Sequence, residues 1–154
     1  MESEKVKIRF AQVTDVASII ELCKAHAIYE KAEYSKKGKA NQISKDIFSS
    51  NPKLYCLVVE NDIEIIAYAT YMKQYATWDA AEYIYMDCLY VKEKHRSKGI
   101  GEELINRIKL EGANLGCTIV QWQTPNFNKG AIKFYTRIGA NCKSKERFFL
   151  NISK

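Results

Sequence analysis

The chain is poor in histidine and proline and has no long apolar run, and each of these shortages argues against one kind of site or one class of protein. Two histidines, His26 and His95, and the lack of a Cys-x-x-Cys pair disfavour a structural zinc site, so no metal is expected. Two prolines and 47% hydrophobic residues argue against disorder. No run is long enough to cross a bilayer, and the charged segment 1–7 is unlike a cleavable signal. The sequence predicts one folded domain, 1–154, without a membrane partner.

The five cysteines are odd in number and widely spaced, and four of them lie in or beside apolar segments. This pattern is typical of reduced, packed thiols rather than of a disulfide framework. Their positions are Cys23, Cys56, Cys88, Cys117 and Cys142. Because reduced thiols persist where the medium is reducing, a cytoplasmic location is expected.

Apolar periodicity predicts an alternating α/β chain without internal repeats. Strands are predicted at 6–10, 54–60, 63–72, 83–91, 118–123 and 145–152, and helices at 14–29, 42–48, from 100 and from 128. Asn61-Asp62 between two apolar runs is a hairpin signal. In the last strand, Phe148, Phe149 and Leu150 suggest burial on both faces. The order predicts a mixed, mostly antiparallel sheet flanked by helices.

Arg96-Ser97-Lys98-Gly99-Ile100-Gly101 joins a strand-like run to an amphipathic segment in which Ile100, Leu104, Ile105 and Ile108 recur at helical spacing. Two glycines allow a ligand to approach the backbone closely, and N–H groups at a helix start bind anions. A Rossmann loop needs a third glycine where Leu104 stands, and a P-loop needs Gly-Lys-Ser/Thr, which is absent. The remaining pattern, Arg-x-x-Gly-x-Gly, resembles the pyrophosphate loop of the GNAT superfamily of acetyl-CoA-dependent N-acetyltransferases.

A second segment, Asn128 to Ala140, is similar to the other coenzyme A segment of that superfamily. Asn128 is suited to N-cap a helix, Gly139 is suited to end it, and a Phe134-Tyr135 pair lies near its end. Ala131, Phe134, Tyr135 and Ile138 would share one helical stripe. The two motifs, in this order, cover roughly residues 83–141. Looser similarity to the diamine (spermidine/spermine) and thialysine acetyltransferase branch lies in Ile8 to Ala11, Ile28 to Glu30 and Tyr85 to Asp87.

The resemblance implies an acetyl-CoA co-substrate and a sheet that is splayed where the strand before the Arg96 loop parts from the next strand. It assigns coenzyme binding to Leu89, Tyr90, Val91, Arg96, Ser97, Lys98, Gly99, Ile100, Gly101, Glu102 and Asn128. Asp87 would accept the amine proton, directly or through water, and Tyr135 would give a proton to the departing thiolate. Structural alternatives stay open: Asp87 as a strand-end hydrogen bonder, Tyr135 as a core aromatic, and Asn128 as a plain helix cap.

For the acceptor, the resemblance implies a small amine, with a polyamine or a lysine-like amine as the first choice. The residues assigned to it are Tyr29, Glu30, Trp78, Asp87, Gln121 and Gln123. Carboxylates and aromatic rings suit a cationic amine, although any one of them could be ordinary solvated surface. Asp87 stands at the position of the branch's catalytic glutamate, and Cys88 replaces the acidic residue that follows it. A covalent acyl-enzyme on Cys88 is disfavoured, because no histidine lies near it in sequence.

Four alternatives remain at this stage. The acceptor could be a protein N-terminus, a protein lysine or an antibiotic amine, and the chain could be a non-catalytic acyl-CoA sensor. The net charge of +6 invites a nucleic-acid partner, but the basic residues form no single stripe and no recognition module is visible, so no specific nucleic acid is expected. Solvated surface and the phosphates of coenzyme A account for the charge. The resemblance is compatible with a homodimer, which the residues themselves do not decide.

Overall fold

The computed structural model describes residues 5–153, which fall into two compact units that meet at Gln123 and Thr124. The first unit contains a five-stranded sheet in the order β1-β2-β3-β4-β5. The strands are β1 (Lys7–Phe10), β2 (Tyr55–Glu60), β3 (Ile65–Ala76), β4 (Ala81–Val91) and β5 (Val120–Gln121). Neighbours from β1 to β4 are antiparallel, and β4 and β5 are parallel. The predicted mixed, mostly antiparallel sheet is confirmed. The single domain spanning 1–154 stays a prediction.

Among residues 5–153, the first unit has three helices and the second has one. They are α1 (Val16–Tyr29), α2 (Lys39–Phe48), α3 (Ile100–Asn114) and α4 (Lys129–Arg137). A short 3-10 turn, Val13–Asp15, precedes α1, and another, Glu93–His95, follows β4. The predicted order of elements is confirmed as far as α4, with α2 starting three residues earlier than its predicted first residue, Gln42.

Helices cover both faces of the sheet, which explains the continuous burial of β3 from Ile65 to Tyr71. On one face, Ile19 and Leu22 of α1 pack in a buried cluster with Cys56, Val58 and Tyr68. On the other face, α3 approaches β4 so closely that a Cβ on Gly112 would lie 2.8 Å from Cγ1 of Ile84. The apolar stripe predicted for α3 is confirmed, and its four members are buried: Ile100, Leu104, Ile105 and Ile108.

The predicted last strand, 145–152, is wrong. Residues 141–150 form no regular secondary structure, and Phe148, Phe149, Leu150 and Ile152 are exposed rather than buried. An apolar run becomes a strand only when a neighbour accepts its backbone hydrogen bonds. Among the described strands, none pairs with this segment. The strand predicted at 118–123 shortens for the same reason, since β4 pairs with it only at Val120 and Gln121.

Within residues 5–153, no helix is long and apolar enough to cross a membrane.

Candidate active site

The glycine-rich loop lies, as predicted, between β4 and α3, and the 3-10 turn at Glu93–His95 separates it from β4. Gly99 has φ +81° and directly precedes the first helical residue, Ile100. Ser97 also has a positive φ of 62°, which the sequence pattern did not predict. The first N–H groups of a helix have no partners within the helix and favour anions. The loop therefore offers backbone donors to a negatively charged ligand.

The Arg96 side chain connects this loop to the sheet and to α1. Its Nε atom donates a hydrogen bond to the carbonyl oxygen of Val91 at 2.8 Å. Its guanidinium carbon lies 4.5 Å from the centre of the Tyr29 ring and 5.3 Å from that of Tyr90. These cation–π contacts hold the C-terminal end of α1 beside the loop. The coenzyme contact assigned to Arg96 stays a prediction.

Asp87 lies in a β-bulge of β4. Met86 pairs with Tyr71 on β3 and Cys88 pairs with Thr70, so Asp87 is an extra residue without a counterpart in the register. A bulge bends the strand and redirects the side chain that it carries. The Asp87 side chain is exposed, and the Cys88 thiol donates to its Oδ2 atom at 3.7 Å. The predicted base is thus presented to solvent by a backbone irregularity.

The sheet opens along β4, beginning next to this bulge. Ile84 pairs with Val120 and Tyr85 with Gln121, and beyond Tyr85 no described residue of β5 pairs with β4. On the other side of β4, the ladder to β3 continues as far as Val91. In an antiparallel ladder, every second N–H of a strand points away from its partner. Some N–H groups of residues 86–91 therefore point away from β3, on the side where no described residue of β5 pairs.

His26 is the residue whose importance sequence reasoning missed. Its Nδ1 atom lies 2.9 Å from the Tyr68 hydroxyl, and its Nε2 atom lies 3.3 Å from Oε1 of Glu30. Its ring stacks on Tyr90, with centroids 5.3 Å apart. Burial lowers the pKa of His26, although the charges of Glu30 and Asp87 oppose that shift. The one available signal was the spacing of four residues between His26 and Glu30, which places both on one face of α1.

The residues assigned to the acceptor are only partly brought together. Tyr29 and Glu30 lie side by side at the end of α1, and Gln121 is paired with Tyr85 next to the bulge. Trp78 lies in the turn between β3 and β4 and is fully exposed. The stretch of β4 from Ala81 to Asp87 spans about 20 Å, so Trp78 is not placed beside Asp87. Gln123 is exposed at the last position of the first unit.

The second unit confirms the helix termini that the sequence predicted. The Asn128 side-chain oxygen accepts a hydrogen bond from the backbone N–H of Ala131 at 3.2 Å, so Asn128 caps α4. Gly139, just beyond the C-cap of α4, has φ +93°. Tyr135 is half-buried, with its ring centre 5.2 Å from that of Phe134. The coenzyme role of Asn128 and the proton transfer by Tyr135 stay predictions.

The Cys88 thiol is a poor nucleophile, although it lies beside Asp87. Burial, the largest cause, together with the charge of Asp87, raises the pKa of its thiol to about 12. A thiol with that pKa holds almost no thiolate near neutral pH, and the thiolate is the nucleophilic form. This state agrees with the expectation that Cys88 forms no acyl-enzyme.

The described residues contain no group of three or more His, Cys, Asp and Glu side chains that could hold a metal ion.

The chain combines a mostly antiparallel sheet that opens beside a β4 bulge with a glycine-rich loop and a helix, and the comparisons place it in the acyltransferase class. The chain belongs to the acetyltransferase (GNAT) family, whose sequence profile matches residues 19–140. It is an N-acetyltransferase.

Two curated relatives and one solved structure show what the chain is similar to. Thialysine N-epsilon-acetyltransferase of Mus musculus is 28% identical over 142 residues, which cover 87% of this chain and 83% of the relative. Spermidine/spermine N(1)-acetyltransferase-like protein 1 of Homo sapiens is 28% identical over 147 residues, which cover 91% of this chain but 21% of that protein. The fold matches aminoglycoside N-acetyltransferase AAC(6')-Iy in complex with CoA, with a TM-score of 0.78, 17% identity and coverage of 98% and 97% of the two chains.

Proposed function

We propose that this enzyme transfers the acetyl group of acetyl-CoA to a primary amine of a small polyamine or a lysine-like molecule. The observation that carries the proposal is the Asp87 bulge, which presents a carboxylate at the point where β4 separates from β5. Relatives named for thialysine and for spermidine/spermine support the acceptor class. Acetyl-CoA supplies an activated thioester, and the chain supplies positioning and proton transfer.

The loop and the open side of β4 are suited to hold the coenzyme. Ser97 to Gly101 would receive the pyrophosphate on backbone N–H groups at the start of α3, where a helix favours negative charge. Lys98 and Arg96 add positive charge to this loop. N–H groups beside Leu89 and Val91 would polarise the thioester carbonyl, and Asn128 would bind the pantetheine arm. No metal is needed for any of these roles.

Asp87 and Tyr135 carry the two proton transfers of the proposal. Because Asp87 is exposed, a water molecule would carry the amine proton to its carboxylate. The neutral amine nitrogen then attacks the thioester carbon, the C–N bond forms, the C–S bond breaks, and the surplus proton that remains on nitrogen leaves to solvent. Tyr135 would give its phenolic proton to the departing thiolate sulfur, a role that rests on its place in the family motif. The enzyme regains that proton from solvent.

The proposed location is the cytoplasm, because all five cysteines are free thiols, a state that a reducing compartment maintains.

The experiment is mass-spectrometric detection of acetylated product from acetyl-CoA and pooled acceptors: polyamines, lysine analogues, aminoglycosides and short peptides. Product mass is preferable to a thiol-reactive dye, since the five cysteines could react with the dye. We expect product from the polyamine or lysine-analogue pool. Acetylated peptides alone would move the acceptor to protein amines. Binding of acetyl-CoA without product from any pool would contradict the proposal and favour the sensor alternative.

A further inference from the structure

A chain of hydrogen bonds runs from the sheet core to the end of α1. Tyr68 is 1% exposed, and burial raises the pKa of its hydroxyl far above the usual range, so the hydroxyl keeps its proton. An ionised Glu30 can only accept hydrogen bonds, which requires His26 Nε2 to carry a hydrogen. A neutral His26 ring then accepts at Nδ1, from the Tyr68 hydroxyl. The order Tyr68 to His26 to Glu30 fixes one tautomer of the ring.

The His26 ring is also fixed in orientation. It lies nearly parallel to the Tyr90 ring, at an interplanar angle of 23°, and meets the Tyr68 ring edge-on, at 73°. Tyr90 is in turn contacted by Tyr29 and by the Arg96 guanidinium. A ring packed in this way cannot rotate without separating these contacts, so its Nε2–H direction is set by the core.

Glu30 lies where a carboxylate is unfavourable for helix stability. It is the C-cap residue of α1, and a helix C-terminus carries partial negative charge that repels an acid. The chain turns at Lys31, which has a positive φ of 59°, so the backbone fixes where α1 ends. A residue that opposes a local preference while being held by a half-buried donor is typical of a functional position.

Glu30 and Asp87 both act electrostatically on His26, as does Arg96 with the opposite sign. Tyr90, whose ring stacks on His26, lies three residues after Asp87 on β4, so the carboxylates of Glu30 and of the proposed base are both near the His26 ring. The Glu30 side chain is 33% exposed, so it can reach a ligand while still bound to His26. An acceptor with a second cationic group would satisfy Glu30 while its reacting amine approaches Asp87.

We propose that His26 is a positioning residue, which holds the Glu30 carboxylate ready for the second positive charge of a diamine-type acceptor. The proposal rests on the proposed amine acetylation and adds a residue and a charge requirement to it. His26 is not the base, because both of its ring nitrogens are already occupied. It acts through Glu30 and touches no reacting atom.

The test compares 1,5-diaminopentane with pentylamine, which has the same carbon chain and one charge fewer. The measured quantity is the ratio of KM for pentylamine to KM for diaminopentane. We expect His26→Leu to lower this ratio about tenfold, or about 1.4 kcal/mol, with a smaller effect on kcat. Glu30→Gln should lower it equally, and the double variant should lower it no further. His26→Gln, whose amide can still donate to Glu30, should retain most of the ratio.

Tyr68→Phe keeps the core ring and removes the hydroxyl that donates to His26 Nδ1, so it should give an intermediate ratio even if His26→Leu folds poorly. The proposal would be overturned if the KM ratios of His26→Leu and His26→Gln fell only in proportion to the thermal stability that each variant loses. It would also be overturned if the effects of His26→Leu and Glu30→Gln on the KM ratio were additive in the double variant. If no acceptor is acetylated, the dissociation constants of the two amines, measured by calorimetry on the same variants, replace KM. An unchanged ratio there overturns the His26 role, whereas missing product overturns the proposed function.

Discussion

Gly112 of α3 lies against Ile84 of β4 so closely that a Cβ would approach Cγ1 of Ile84 to 2.8 Å. Real Cβ contacts are longer than this, so a side chain at Gly112 must displace either the helix or a fully buried isoleucine. This contact fixes the helix that follows the glycine-rich loop against the strand that carries the Asp87 bulge.

Gly112→Ala should therefore destabilise the protein by about 1–3 kcal/mol through overpacking, despite the better helix propensity of alanine. The measurement is urea unfolding followed by circular dichroism. Gly130→Ala is the matched control, because Gly130 lies within α4, has no positive φ, and leaves open space where a Cβ would stand. It should leave stability equal or raise it by a few tenths of a kcal/mol. Equal stability of Gly112→Ala and wild type would show that α3 can move away from β4 at no cost.

Replacement of the Asp87 carboxylate tests the proposed base. Asp87→Asn keeps the shape of the side chain but removes the proton acceptor, so kcat should fall by about 10²- to 10⁴-fold. The measurement is the initial rate of acetylated product formation by mass spectrometry. Cys88→Ala changes the adjacent residue and should retain activity, because a thiol with a pKa of about 12 takes no part as a nucleophile. Loss of activity in Cys88→Ala with retention in Asp87→Asn would reverse the assignment.

Thiol reactivity should follow burial. Cys142 is exposed, whereas burial raises the pKa of both Cys56 and Cys88 to about 12. At pH 8, Cys142 should be alkylated by iodoacetamide before Cys56 and Cys88, which should react only when denaturant is added. Peptide mapping after timed quenching gives the three rates. Labelling of Cys88 as fast as Cys142 in the native protein would mean that the strand opens readily at the bulge.

The hydrogen-bonded ion pair between Arg9 and Asp15 predicts that the folded protein loses stability at low pH. The Arg9 guanidinium donates to both Asp15 oxygens, at 2.6 and 3.0 Å, and lowers the pKa of that carboxyl in the folded state. A lowered folded pKa means that the stabilisation is complete above the unfolded value, about 3.9, and is lost as pH falls through the folded value. Arg9→Met should cost about 2 kcal/mol at pH 7, because it leaves a buried carboxylate without its main partner.

The loss of unfolding free energy caused by Arg9→Met should shrink as the pH falls from the unfolded pKa of Asp15 through its lower folded pKa. Asp15 then becomes protonated in both proteins. Unfolding in urea at pH 7 and at pH 3 measures the two differences. Lys53→Met removes the Lys53–Asp46 ion pair, in which the lysine side chain is 76% exposed, and should cause no measurable loss. A cost of Arg9→Met that is equal at both pH values would contradict the sign of this prediction.

The sequence predicted those elements whose stability is local. Ile100, Leu104 and Ile108 recur at helical spacing, so α3 and its buried face were predictable without knowledge of the partner strand. Asn128 as the cap of α4 is another local feature. The prediction of a strand at 145–152 was wrong because a strand needs hydrogen bonds from a neighbouring strand. The run of Phe148 to Leu150 contains no information about which strand would pair with it.

The geometry of the candidate site was harder to predict from the sequence, because it also depends on contacts between residues that are far apart in the chain. Asp87 was predictable as a residue of interest from its motif, but the bulge that presents it depends on the register between β3 and β4. His26 depends on Tyr68, which lies 42 residues further along the chain, and on Tyr90, so no local pattern distinguishes it from an ordinary helix residue. The positive φ of Ser97 is likewise set by how the loop connects β4 to α3.

The transfer of an acetyl group from acetyl-CoA to a small amine is tested most directly with acetyl-CoA that carries ¹³C in both acetyl carbons and with 1,5-diaminopentane as acceptor. The product should be acetyl-diaminopentane heavier by two mass units than the product from unlabelled coenzyme, and its formation should depend on the Asp87 carboxylate. Unlabelled product, or coenzyme bound and left intact in the presence of the diamine and every other amine pool, would contradict the proposed function.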